Sequence, residues 1–266
     1  MRIALIGLSF LLGACTSMSQ KPSPAAVSDL APSGTLRAAI NVGNAVLAAR
    51  AATTGGAPTG ISVDLAHELA RRLGVPLTLV VFDAAGKVVE AGKTGDWDIA
   101  FVALDPARAA EISQSPPYVQ IEGAYLVRES SPLRSNDEVD RKGHRVVVGR
   151  NSAYDLYLTR NLKQAEIVRT PTSATVVDVF IKQNYEVAAG VKQALENDAR
   201  RVPGVRLLPG RFMVINQAMA SQRGKEAGAR YLRDFVEEMK ASGFVAQAIE
   251  RHRQPSAVVA PLGFQP

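Results

Sequence analysis

Gly95-Asp96-Trp97-Asp98-Ile99-Ala100-Phe101-Val102-Ala103-Leu104-Asp105-Pro106-Ala107-Arg108 is the stretch on which the reading of the chain turns. Ile99 to Leu104 is an unbroken apolar run, which suits a strand buried on both faces. Asp105-Pro106 then starts a helix, with an N-cap acid before proline at the first helical position. A strand that feeds directly into a helix N-terminus points backbone N–H groups beyond its carboxyl end, and Arg108 adds a fork of donors suited to a carboxylate. One reading is an anion site. The other is that Asp105 only caps the helix and Arg108 is a solvated first-turn residue.

The flanking sequence repeats the strand and helix pattern. Gly34 to Ile40 reads as a turn and a short strand, and Asn41 to Gly60, rich in Gly, Ala, Thr and Asn, as loop. Leu65, Leu69 and Leu73 share one face of a helix that Gly74 stops, and Leu77 to Phe82 is the next strand. Lys87 to Ala91 supports a short helix. Helical crossovers between strands imply a mostly parallel sheet. Glu122 to Arg128 is a strand that leaves this first unit. A second α/β set follows: strands over Arg145–Gly149, Ala165–Arg169, Val187–Val191 and Val205–Leu208, and helices over Ala153–Leu162 and Ser173–Lys182. The chain returns through Phe212 to Ala220 and closes with a long amphipathic helix over Gly224–Ser242 and a shorter one to about Arg251. The second unit is an insertion. Two crossing strands make a hinge, and a small ligand belongs in the cleft beyond the strand ends.

The composition is that of an ordinary soluble chain: 266 residues, 47% apolar and 21% charged. The formal charge of +6 is scattered, without a basic run or aromatic interleaving, which argues against nucleic acid. His67, His144 and His252 fall in surface contexts, with no metal-ligand spacing and no nucleophile triad order, so neither a metal nor a cofactor is expected. Met1-Arg2 and the apolar run Ile3 to Leu12 read as a secretory signal, too short to span a membrane. It ends in Leu12-Gly13-Ala14-Cys15, which resembles the lipobox of bacterial lipoproteins and implies a lipid-modified Cys15 tethered at the membrane. Cys15 is the sole cysteine, so no disulfide is available. The alternative is a wrongly placed start codon with a buried or free cysteine. Thr16 to Pro32, rich in Ser, Pro and Ala, reads as a flexible tether, with structure beginning near Gly34.

Taken in order, Gly60-Ile61-Ser62-Val63-Asp64-Leu65-Ala66, Gly95 to Ala100, Arg108, Pro117-Tyr118, Val146 to Gly149 and Met239 to Phe244 resemble the family 3 extracellular solute-binding proteins. These are amino-acid-type substrate-binding components of ABC importers, and the resemblance implies a two-lobed type II periplasmic-binding fold. It also implies that Arg108 clamps a ligand carboxylate, although Asp105 stands where relatives carry a threonine or serine. On the second lobe, Ser152 matches a hydroxyl that donates to the carboxylate, and it is equally a plain N-cap. Lys192 stands where the family places the aspartate that holds the α-ammonium. A lysine there repels an ammonium and attracts an anion, unless it is an ordinary exposed loop lysine. Asn44 occupies the place of a frequent aromatic ring, which favours a small or polar ligand. Glu122, at the first crossing strand, and Gln217, on the return strand, face either the cleft or solvent.

The expected organisation is therefore a signal peptide over 1–14, a tether over 15–33, one lobe from 34–124 and 218–266, and a second lobe over 125–217. The ligand-binding candidates are Arg108, Ser152, Asp105, Asn44, Lys192, Glu122 and Gln217, with Cys15 as lipid anchor. The expected activity is capture of an amino acid or related carboxylate by hinge closure, in a periplasmic, membrane-tethered monomer that serves an ABC permease. Two other classes stand beside this binding module. One is a dehydratase on the same fold, with Glu122 or Asp105 as the acid. The other is a sensor that signals by the same closure.

Overall fold

The computed structural model describes residues 21–51, 53 and 55–264. The first body of the chain runs α1 Pro24–Leu30, β1 Leu36–Asn41, α2 Ile61–Leu73, β2 Leu77–Phe82, α3 Ala85–Lys93, β3 Ile99–Ala103 and the single turn α4 Pro106–Ala109. The long strand β4 Ile112–Arg128 leads out of it. The second body comprises β5 Arg145–Gly149, α5 Ala153–Asn161, β6 Glu166–Thr170, α6 Val176–Lys182, β7 Val187–Val191, α7 Lys192–Arg201 and β8 Val205–Leu207. Strand β9 Met213–Gln222 returns, and α8 Glu226–Ala241, α9 Phe244–Arg251 and the two-residue β10 Val258–Val259 complete the first body.

The strands form one hydrogen-bonded path in the order β2-β1-β3-β9-β4-β7-β5-β6, with β8 and β10 also on β4. Within each body the crossovers are parallel, β1 to β2 and β3, and β5 to β6 and β7. The long strands β4 and β9 are antiparallel to each other and run through both bodies. This is a mixed α/β, two-lobed architecture of the periplasmic-binding type, with the two crossing strands as hinge. The first crossing strand starts at Ile112, well before the expected Glu122, and register shifts on either side of Pro117 let it pass the proline pair.

The Gly-Asp-Trp-Asp motif does structural work. Trp97 is fully buried and its indole N–H donates to Val88 O at 2.8 Å. Gly92 makes room for the ring, since a Cβ there would lie 2.7 Å from it. The Asp98 carboxylate takes the backbone N–H of Arg37 at 2.9 Å and its guanidinium at 2.7 Å, tying β3 to β1 beneath the cleft. In α2, Leu65, Leu69 and Leu73 are buried, and Gly74 ends the helix at φ 69°.

Two elements differ from expectation. The flexible tether expected through residue 33 contains α1, capped by Ser23, whose hydroxyl accepts from Ala26 N–H at 3.1 Å. Ala26 and Leu30, one turn apart, are buried, and Asp29 accepts from Gly228 N–H at 3.0 Å at the start of α8. A Ser-Pro composition read as tether is here an N-cap followed by proline at the first helical position. The second difference is α7, a ten-residue helix over the place where Lys192 was expected on a loop. The N-terminal apolar run, Cys15 and the first part of the tether lie outside the described residues. Among the described residues, no helix is long and apolar enough to cross a membrane.

Candidate functional site

Strand β3 ends at Ala103, and α4 turns away directly behind it, which sets Arg108 under the cleft. Its side chain is buried at 3% exposure, and the guanidinium donates to Ala103 O at 3.0 Å and to Asn151 O at 2.8 Å. Among the described residues, no carboxylate touches it. Asp105 has its oxygens engaged elsewhere: Oδ1 accepts from Ala107 N–H at 2.9 Å, and Arg160 of α5 binds the carboxylate at 2.8 Å. Burial pulls the Arg108 pKa down to about 10, with Asp105 opposing, so the group stays cationic at neutral pH. A desolvated cation with donors to spare is built to receive an anion.

Across the cleft, the turn before α5 is held by Asp155, which is almost fully buried. It accepts from Asn151 N–H at 2.7 Å and from Arg169 at 3.0 Å. Ser152 caps the helix by accepting from Asp155 N–H at 3.1 Å and also lines the cleft cavity, so both readings of this residue fit its position. Tyr154 donates to Ser173 Oγ at 2.7 Å on the same wall, and burial pushes its phenol up. The cavity encloses about 70 Å³. At about 10–15 Å³ per water, that is room for about five waters.

Gln217 of β9 is buried at 6% exposure and lines this cavity, and among the described residues its side-chain amide has no hydrogen-bond partner. Asn44 lines it too, with Oδ1 accepting from Val46 N–H at 3.3 Å. Thus Arg108, Ser152, Asn44 and Gln217 come together. Asp105, Lys192 and Glu122 do not line the cavity. Asp105 joins the two lobes through Arg160. Lys192 Nζ bonds Glu122 at 2.8 Å behind the hinge, where Arg211 also binds the same carboxylate at 2.6 Å.

The expectation that Lys192 attracts an anion in the cleft is corrected by that pairing. Position 192 begins α7 on the face away from the cavity. Glu122 is held below the usual carboxylate range, by Lys192 first and then Arg211, the opposite of what a general acid needs. Asp105 is likewise committed to Arg160. Each of the two acids offered for the dehydratase alternative is therefore engaged. His144 and His252 make local contacts, to Val139 O at 3.0 Å and Asp64 at 2.9 Å. Among the described residues, no group of three His, Cys, Asp or Glu side chains is placed to hold a metal.

Sequence reasoning missed Asp155, Arg160 and Tyr154. Asp155 was legible as an acid three positions after an N-cap serine, a near relative of the capping box. Arg160 carried no signal, because its partner lies in the other lobe.

Two lobes meet around a small polar cavity with a buried guanidinium at its floor, an arrangement suited to a small solute that carries an anionic group. Residues 40–254 match the bacterial extracellular solute-binding proteins, family 3, and the chain belongs to that family. It is a solute-binding protein. Solved structures similar to it include the solute receptor for L-cysteine of Neisseria gonorrhoeae, with a TM-score of 0.74 and 19% identity, covering 86% of this chain and 94% of that one. An amino acid ABC transporter substrate-binding protein from Streptococcus pneumoniae, bound to L-arginine, gives a TM-score of 0.72 at 18% identity and covers 85% of this chain and 98% of that one. An ancestral amino acid-binding protein described as a precursor of cyclohexadienyl dehydratase gives 0.71 at 19%, covering 85% and 97%. At these identities the likeness establishes the fold. No curated protein matches the sequence.

Proposed function

We propose that this protein is the substrate-binding component of an ABC importer, and that it captures a carboxylate-bearing solute of amino acid size between its lobes. The observation that carries the reading is Arg108, a buried guanidinium that bonds two backbone carbonyls, one from each lobe, and among the described residues touches no carboxylate. A solute carboxylate supplies the missing counter-charge, and Ser152, Asn44 and Gln217 supply neutral hydrogen bonds around it. Because Arg108 reaches Ala103 on one lobe and Asn151 on the other, a carboxylate seated on it favours the closed form, which a permease then recognises.

The lipobox-like end at Cys15 supports a periplasmic protein held at a membrane by a lipid. Globomycin-sensitive processing, or its loss in Cys15→Ala, tests that part. Several similar solved structures are described as amino acid receptors of ABC transporters, which supports an amino acid as the solute class.

Native mass spectrometry of the chain starting at Lys21, which keeps α1 intact, tests the main reading when repeated with Arg108→Ala. A co-purified carboxylate lost from the variant is expected. A solute retained unchanged by the variant would refute the role of Arg108.

A further inference from the structure

Helix α7 presents two different faces. Val191, Ala194, Leu195 and Asp198 line the cleft cavity, at the i, i+3, i+4 and i+7 spacing of one helical stripe. Lys192, Gln193 and Glu196 face the hinge side instead. Asp198 is thus on the cavity stripe, and it is the only acid among the described lining residues. Its Oδ1 accepts from Arg201 at 2.8 Å, while its Oδ2 has no partner among the described residues. Arg201 is shared, because it also binds Asp178 at 2.9 Å, so two carboxylates meet one guanidinium and the cluster keeps a net negative charge.

A second observation points to a ligand in the same cavity. Gln217 is 6% exposed, lines the space and leaves its amide unpartnered among the described residues, open to a solute in the cavity. The floor of the cavity carries the uncompensated charge of Arg108. The two ends are therefore opposite in sign, and Asp198 and Arg108 make no ion pair with each other. Val191 marks the point where β7 ends at the cleft. Asp198 lies about 10 Å further along the helix axis. A single solute atom cannot serve both ends.

We propose that Asp198 is the cation-binding residue of the cleft, so that the solute places its carboxylate on Arg108 and a positive group, well separated from that carboxylate, on Asp198. The class is a cationic amino acid or an ω-amino acid, and the inference rests on the solute-binding reading above.

Calorimetric titration with L-lysine, L-norleucine and 6-aminohexanoate tests it. Norleucine lacks the distal ammonium and 6-aminohexanoate lacks the α-ammonium. Lysine and 6-aminohexanoate are expected to bind, with norleucine about 10- to 100-fold weaker than lysine, the worth of a hydrogen bond to a charged group. Asp198→Asn is expected to erase that preference, and Asp198→Glu to keep it. The comparison of ligands in the parent protein needs no variant, so a folding defect in either variant does not mask the result. Norleucine binding as tightly as lysine, or a preference unchanged in folded Asp198→Asn, overturns the assignment. If none of the three binds while another amino acid does so through Arg108, the inference falls and the importer reading stands. If no carboxylate binds at all, both fall.

Discussion

Arg108 and Lys192 are two cations that the sequence assigns to one cleft, and the fold treats them in opposite ways. Arg108 is buried, bonded among the described residues only to carbonyls, and faces the cavity. Lys192 is a third exposed, paired with Glu122, and turned toward the hinge. Burial without a counter-charge is expensive, and a protein keeps such a group where something else will neutralise it. The partly exposed pair behind the hinge needs no ligand and contributes little. What the fold withholds from Arg108 is what supports it, and not Lys192, as the proposed binding cation.

The sharpest way to break this contrast is Arg108→Gln. Solute affinity is expected to fall about 100-fold by calorimetry. Leaving Asn151 O without its donor, while Ala103 O keeps the bond from Gln114 at 3.0 Å, should also destabilise the chain by about 1–3 kcal/mol in urea titrations. Unchanged affinity would remove the residue from the site.

Gly86→Ala probes closure instead of chemistry. A Cβ at Gly86 would lie 2.7 Å from the Asn151 Cβ in the opposing lobe, so the lobes cannot meet as they do here. About tenfold weaker binding is expected, together with a larger radius of gyration in scattering from the solute-loaded protein. A variant that closes normally would show that this contact is not the limit.

Arg160→Ala removes the ion pair between lobes while leaving Asp105 as helix cap. Because Arg160 is half exposed, about 1 kcal/mol is expected, read as a few-fold loss of affinity that shrinks with added salt. A salt-independent loss would point to packing.

The smallest effect belongs to Lys192→Ala, with affinity within about twofold of the parent. Its effect is expected on acid stability. The folded pKa of Glu122 is depressed, so its contribution is present above the ordinary carboxylate pKa and is lost as pH falls through the lowered value. The small stability difference between parent and variant should therefore close as the pH falls through that lowered value. A difference that widens in acid would contradict the pairing.

The alternation of strand and helix, the helix stops at Gly74 and Gly243, and the Asp105-Pro106 start were all readable in the sequence, because each rests on neighbours within a few positions. The strand Leu77–Phe82 and the core leucines of α2 fall where their periodicity predicts. Arg108 was legible for the same reason, since a strand end and a helix start are local events. Helix α1 was not, because a seven-residue helix is marginal alone and is held by burial against α8. The phase of α7 was not legible either, since which face of a helix meets a cavity depends on what packs behind it.

By itself, the sequence determined the two-unit α/β plan and the place of one arginine beyond a buried strand. Only the tertiary structure decided which charges are neutralised. Glu122 meets Lys192, Asp105 meets Arg160, and Gln217 meets nothing among the described residues, through separations that no local pattern encodes. The reason is physical: secondary structure follows from short-range periodicity and capping, whereas the fate of a charge depends on partners brought near it by chain crossings far away in sequence.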